Sequence, residues 1–188
     1  MRCSLKFLAL LFFASCIGAA AQTSKYDLGR AATPEEIKSL DVLVGPEGKE
    51  LPRGSGTAKD GAKTFAQRCA MCHGLTGEGG KEKRLVGGKG TLDTPHPIKT
   101  VGSFWPYATT VWDYINRAMP QNQPGSLTPN EVYAVTAYIL FRNGIIEENA
   151  VLDAKTLPKV EMPNRNGFVP DPRPDTGKGA PRPRARGR

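Results

Sequence analysis

Cys69-Ala70-Met71-Cys72-His73 puts two thiols three positions apart and an imidazole directly after the second. That order fits covalent attachment of a c-type haem: each sulfur adds to one vinyl group, and the histidine binds the iron on one side. Two rival chemistries use the same residue types. A redox-active Cys-x-x-Cys pair belongs at the start of a helix that follows a strand, and nothing upstream of Cys69 reads as a strand. A zinc shell could draw on Cys69, Cys72, His73 and His96. Against it, Cys72 and His73 are adjacent, and the second pair of spaced histidines that a zinc finger needs is absent.

A haem iron bound by His73 has a second axial position. Met119 stands before Pro120 at the end of a helical pattern, where a thioether can reach over the open face of a haem. Taken alone, a methionine there is a gap-filling core residue; with Cys-x-x-Cys-His upstream it becomes the axial candidate. It outranks Met71, inside the attachment loop, and Met162, in an irregular segment. His96, flanked by Pro95 and Pro97, reads as a surface histidine in an extended turn. Trp105, Tyr107, Arg84 and Lys99 could contact haem propionates and serve equally as wall or surface residues.

Four helices are expected to position these groups. Thr33-Pro34-Glu35-Glu36 is a capping box with proline at the first helical position, opening a short helix edged by Ile37 and Leu40. A Gly/Pro/Ser stretch from Gly45 to Thr57 reads as a linker over the surface. A second helix begins near Lys59 or Asp60 and runs through the Cys-x-x-Cys-His stretch to Gly74. In it Gly61, Phe65 and Cys69 recur every four residues and share a face with Cys72. The glycine-dense, basic stretch from Gly77 to Gly90 lacks the strand and Gly-Lys-Ser/Thr ending of a phosphate loop, so it reads as a loop passing close to a flat cofactor. A third helix is expected to be capped by Thr110 with Asp113 at its third position and to stop at Met119-Pro120. The fourth opens at the capping box Thr128-Pro129-Asn130-Glu131 and ends at Gly144. Its Val132, Val135 and Ile139 stripe is expected to meet the Gly61/Phe65 face, with Tyr138 filling the gap.

The 188 residues suffice for one modest core. Arg2 and Lys6 precede an apolar run, Phe7 to Ile17, too short to cross a bilayer, and Ala19-Ala20-Ala21 supplies a small-residue cleavage site. Residues 1–21 therefore read as a signal peptide, with the mature start at Gln22 and a periplasmic location. A lipoprotein signal at Phe13-Ala14-Ser15-Cys16 is the rival, and only lipidation at Cys16 would give membrane contact. Export leaves Cys69 and Cys72 as the mature thiols, so no disulfide framework is expected. The net charge of +8 is concentrated at the ends. Gln22 to Asn164 is nearly balanced, and the excess lies in the signal and in a Pro/Gly/Arg tail, 177–188, that cannot bury a core. That tail lacks aromatic interleaving, so no nucleic-acid partner is expected.

The chain from about Thr57 to Gly144 resembles a class I, single-haem cytochrome c. The resemblance is carried by Cys69 to Gly74, the Gly61/Phe65 helix, Ala118-Met119-Pro120 and the last helix with Tyr138. It implies an all-α fold wrapped around one covalently bound haem c, with irregular N- and C-terminal extensions, and electron transfer as the activity. It further implies Cys69 and Cys72 as covalent anchors and His73 and Met119 as axial ligands. The expected organisation is an N-terminal extension at 22–56, the cytochrome c domain at 57–146 and a C-terminal extension at 147–176. A narrower similarity, to cytochrome subunits of bacterial sulfite and Sox-type sulfur dehydrogenases, rests on Thr100 to Pro120, Glu131 to Leu140, Asn143-Gly144-Ile145-Ile146 and Met162-Pro163-Asn164-Arg165. It implies a molybdenum-containing, sulfite-oxidase-like subunit as electron donor and a downstream cytochrome or oxidase as acceptor. Sox-type cytochromes can carry two haems, and one attachment motif occurs here. Other readings are a free electron shuttle for another dehydrogenase, or a haem enzyme acting directly on sulfur compounds, which would need an open iron.

Overall fold

The computed structural model describes residues 29–41 and 43–170. The signal segment 1–21 with Cys16, the mature start at Gln22 and the basic tail 177–188 lie outside the described residues. The chain divides into two compact units, one ending at Asp41 and the other beginning at Val42.

The first unit is organised by α1, Pro34–Leu40. Its start follows the expected capping box: Thr33 Oγ1 accepts from the Glu36 N–H at 3.2 Å, and the Glu36 carboxylate accepts from the Thr33 N–H at 2.8 Å. Arg30 adds an ion pair to the same carboxylate. Ile37 and Leu40, the expected apolar edge, are exposed.

Among the described residues the second unit holds four α-helices, a short 3-10 turn and little strand: α2 Ala58–Arg68, α3 Ala70–His73, α4 Ala108–Ala118 and α5 Pro129–Arg142. The largest helix-to-helix contact joins α2 and α5. Its close point is Gly61, where a Cβ would fall 1.9 Å from the Ala134 carbonyl oxygen and 2.8 Å from the Tyr138 Cβ. The Phe65 and Tyr138 rings then meet at 5.0 Å. The atoms nearest Gly61 are thus those of Ala134 and, one turn on, of Tyr138, which fills the gap as expected. Nearly every side of α5 is buried from Val132 to Leu140, so apolar periodicity could not single out the face that meets α2.

Two other expectations need correction. The Gly45–Thr57 stretch is packed rather than laid over the surface. Gly48, Leu51 and Gly56 are buried, the Tyr133 hydroxyl donates to the Pro52 carbonyl at 2.9 Å, and β1 (Ser55–Gly56) pairs antiparallel with β2 (Leu152–Asp153), Ser55 opposite Asp153. Glycine makes this possible: a Cβ at Gly56 would lie 2.3 Å from the Ala134 nitrogen. The expected start of α4 at Thr110 is also displaced. The helix begins at Ala108 behind Tyr107, which makes no side-chain cap. Asp113 lies inside the helix, buried, where it takes Arg117 in a two-pronged ion pair and accepts the Val44 N–H at 3.1 Å. The paired guanidinium offsets the cost of burying the carboxylate.

After α5 the chain turns back over the helices, and Leu152, Leu157, Val160 and Met162 complete the core. Trp112 and Tyr133, both fully buried, meet with their rings tilted at 47° and 5.4 Å apart. Among the described residues no helix is long and apolar enough to cross a membrane.

Candidate haem site

The attachment stretch is not one continuous helix. Thr57 caps α2, accepting from the Asp60 N–H at 3.3 Å, and α2 ends at Arg68. Cys69, with φ −124° and ψ −34°, breaks the helical path, and a single further turn carries Ala70 to His73 before Gly74 stops it at φ 84°. The kink takes Cys72 and His73 off the straight helical face that a four-residue spacing predicts. Cys69 and Cys72 are free thiols, both half-buried.

Burial pushes the Cys69 thiol up to about 11. A redox pair needs an attacking thiolate with a lowered pKa, so this environment disfavours disulfide chemistry. Zinc fares no better: among the described residues no group of three or more His, Cys, Asp and Glu side chains is gathered as a metal site. His96 is exposed in its loop.

The donor set suits a haem iron instead. His73 Nδ1 lies 2.9 Å from the Lys83 carbonyl oxygen. Since a carbonyl only accepts, Nδ1 carries the proton, and Nε2 keeps its lone pair for a metal. Such a hydrogen bond fixes the ring's tautomer and orientation. The glycine-rich segment supplies this carbonyl by folding back on the attachment motif. The Gly79 N–H donates to the His73 carbonyl at 2.8 Å, and the Glu82 N–H to the Cys72 carbonyl at 2.9 Å. Positive φ at Gly77 and Gly79 permits the reversal. Glu78 tightens it: the Thr76 hydroxyl and neighbouring amides hold its carboxyl down at about 2. Asn143, at the end of α5, ties the far end of the segment to the body, donating to the Leu85 carbonyl at 3.2 Å and accepting from the Gly87 N–H at 2.9 Å.

Met119 is the residue that ends α4. It is half-buried, and its amide still donates to the Ile115 carbonyl at 3.1 Å. Of the other described methionines, Met162 is buried at 3 % exposure and Met71 is 79 % exposed. Cys69 and Met119 pack against the same hydrophobic core. Trp105 and Tyr107 are half-buried, Tyr114 is 45 % exposed, and the Trp105 and Tyr114 rings meet edge to face at 5.7 Å.

Two features of the site escaped the sequence: the Lys83 carbonyl and the Arg68 side chain. The first is a backbone group, for which residue identity carries no signal. Arg68 is the last residue of α2 and reads there as an ordinary helix-end cation.

Residues 56–139 match the family described as cytochrome C oxidase, cbb3-type, subunit III. No curated protein gives a match. Among solved structures, the chain is similar to one from the crystal structure of the sulfane dehydrogenase SoxCD from Paracoccus pantotrophus. The two share 40 % identity over 87 % of this chain and 84 % of that one, with a TM-score of 0.72.

Proposed function

This chain belongs to the cytochrome c family, and from that premise we propose that it is the single-haem subunit of a periplasmic sulfur-compound dehydrogenase. In this reading it takes electrons one at a time from a molybdenum-containing subunit and passes them to a downstream cytochrome or oxidase. The observation that carries the proposal is the extent of the similarity to sulfane dehydrogenase. It covers 87 % of the chain and so reaches well past residues 56–139, which any relative of the cytochrome domain could match.

When bound, the haem supplies a one-electron ferric/ferrous couple. The chain's residues do the rest. Cys69 and Cys72 would hold the macrocycle through thioether links. His73 would offer Nε2 to the iron while its Nδ1–H stays on the Lys83 carbonyl. Met119 would supply a soft thioether, which favours the reduced iron and raises the potential. A His/Met pair of ligands would leave the iron closed to substrate, so the proposed activity is outer-sphere electron transfer.

Purification of the protein from its native source tests the partner. The reading predicts a stable complex with stoichiometric molybdenum and reduction of the haem on addition of sulfite or a sulfane-sulfur donor. A solitary cytochrome, without molybdenum and inert to both donors, would contradict it.

A further inference from the structure

Arg68 links the segments that bear the two proposed axial ligands. It immediately precedes Cys69, and its Nη2 donates to Gln123 Oε1 at 3.0 Å and to Ser126 Oγ at 2.8 Å. Both acceptors belong to the loop that follows Met119. Gln123 closes a turn on Pro120, its N–H donating to the Pro120 carbonyl at 2.8 Å, and the Ser126 N–H donates to the Gln123 carbonyl at 3.3 Å. Residues 121–126 are all exposed, between buried Pro120 and buried Leu127. No apolar packing therefore holds this loop down. Among the described residues, the two Arg68 bonds are the side-chain hydrogen bonds that reach it from the rest of the chain. On the other side, α2 is a firm mount, locked on α5 at Gly61.

We propose that Arg68 is a positioning residue that clamps the 120–126 loop to the haem-attachment segment and so sets how readily Met119 leaves the iron. The inference rests on the reading of Met119 as a ligand. An incoming ligand must wait for the thioether to leave, so its apparent affinity scales with the fraction of molecules in which the loop has opened. Two partly solvated hydrogen bonds fall at the low end of net hydrogen-bond stabilisation, so their loss should raise that fraction roughly five- to tenfold.

The test is imidazole titration of the ferric holoprotein, followed by the far-red thioether-to-iron charge-transfer band, in the wild type, Arg68→Ala and the double variant Q123A/S126A. Both variants are expected to bind imidazole roughly five- to tenfold more tightly. Arg68→Lys, which keeps the charge and its donors but on a shorter side chain, should fall between. Chemical unfolding of the same proteins supplies the control. A lowered unfolding midpoint with unchanged imidazole affinity would overturn the clamp, leaving Arg68 merely structural. If Arg68→Ala fails to mature, Q123A/S126A decides the matter on the same readout, because it leaves the attachment segment untouched. Absence of the thioether band from the wild type would overturn the Met119 assignment and the clamp together.

Discussion

Met119→Ala is expected to yield a protein that still carries its haem but no longer behaves as a closed electron carrier. Without the thioether, the ferrous form should bind carbon monoxide readily, and the ferric far-red band should vanish. The reduction potential should fall by on the order of a hundred millivolts or more, a sizeable part of the roughly 0.8 V span that axial ligation controls. The helix itself should survive: Met119 is its terminating residue and only half-buried, and the helix retains the ion pair between buried Asp113 and Arg117. Loss of the potential without loss of fold would identify Met119 as a ligand rather than a packing residue. An unchanged potential and no carbon monoxide binding would mean that another group holds the iron.

Gly61→Ala should be the most damaging conservative change in the helical body. Two effects oppose each other. Alanine is favoured over glycine in a helix interior by about 1 kcal/mol. Against this, the new methyl would sit 1.9 Å from the Ala134 carbonyl oxygen, a backbone atom that no rotamer change can move. Overpacking of this kind costs typically about 1–3 kcal/mol and sometimes more, and here α2 must lift off α5, so the clash wins. The thermal midpoint of the holoprotein should fall by on the order of 10 °C, read by circular dichroism of the helices. Gly45→Ala is the matched control: its nearest neighbours lie at 3.6 Å, and it should leave the midpoint almost unmoved. Equal midpoints for the two variants would contradict the close-packed α2–α5 contact.

What the sequence discloses follows the range over which each interaction acts. The capping boxes at Thr33 and Thr128 are written within four residues and fold as read. The stop at Met119-Pro120 is equally local, since a proline nitrogen has no hydrogen to donate to a helical ladder. Asp113 shows the limit. Its position suggested a helix start, but its partner Val44 lies 69 residues away, and that contact decides its role. The break at Cys69 is of the same kind: four-residue spacing argues for an unbroken helix, whereas the backbone bonds from Gly79 and Glu82 to His73 and Cys72 are made with a tighter turn in place. The glycine-rich segment was legible as a loop. Its work of presenting the Lys83 carbonyl to His73 was not, because backbone acceptors are common to every residue.

The central claim is that Cys69 and Cys72 anchor one haem whose iron is held by His73 and Met119. Peptide mass spectrometry of the purified, red holoprotein after extraction with acidified acetone tests it most directly. The colour is expected to stay with the polypeptide, and a single haem mass to be found on the peptide spanning Cys69 to His73, with no free thiol at either cysteine. Haem passing into the acetone, or a recovered peptide carrying both cysteines unmodified, would contradict it.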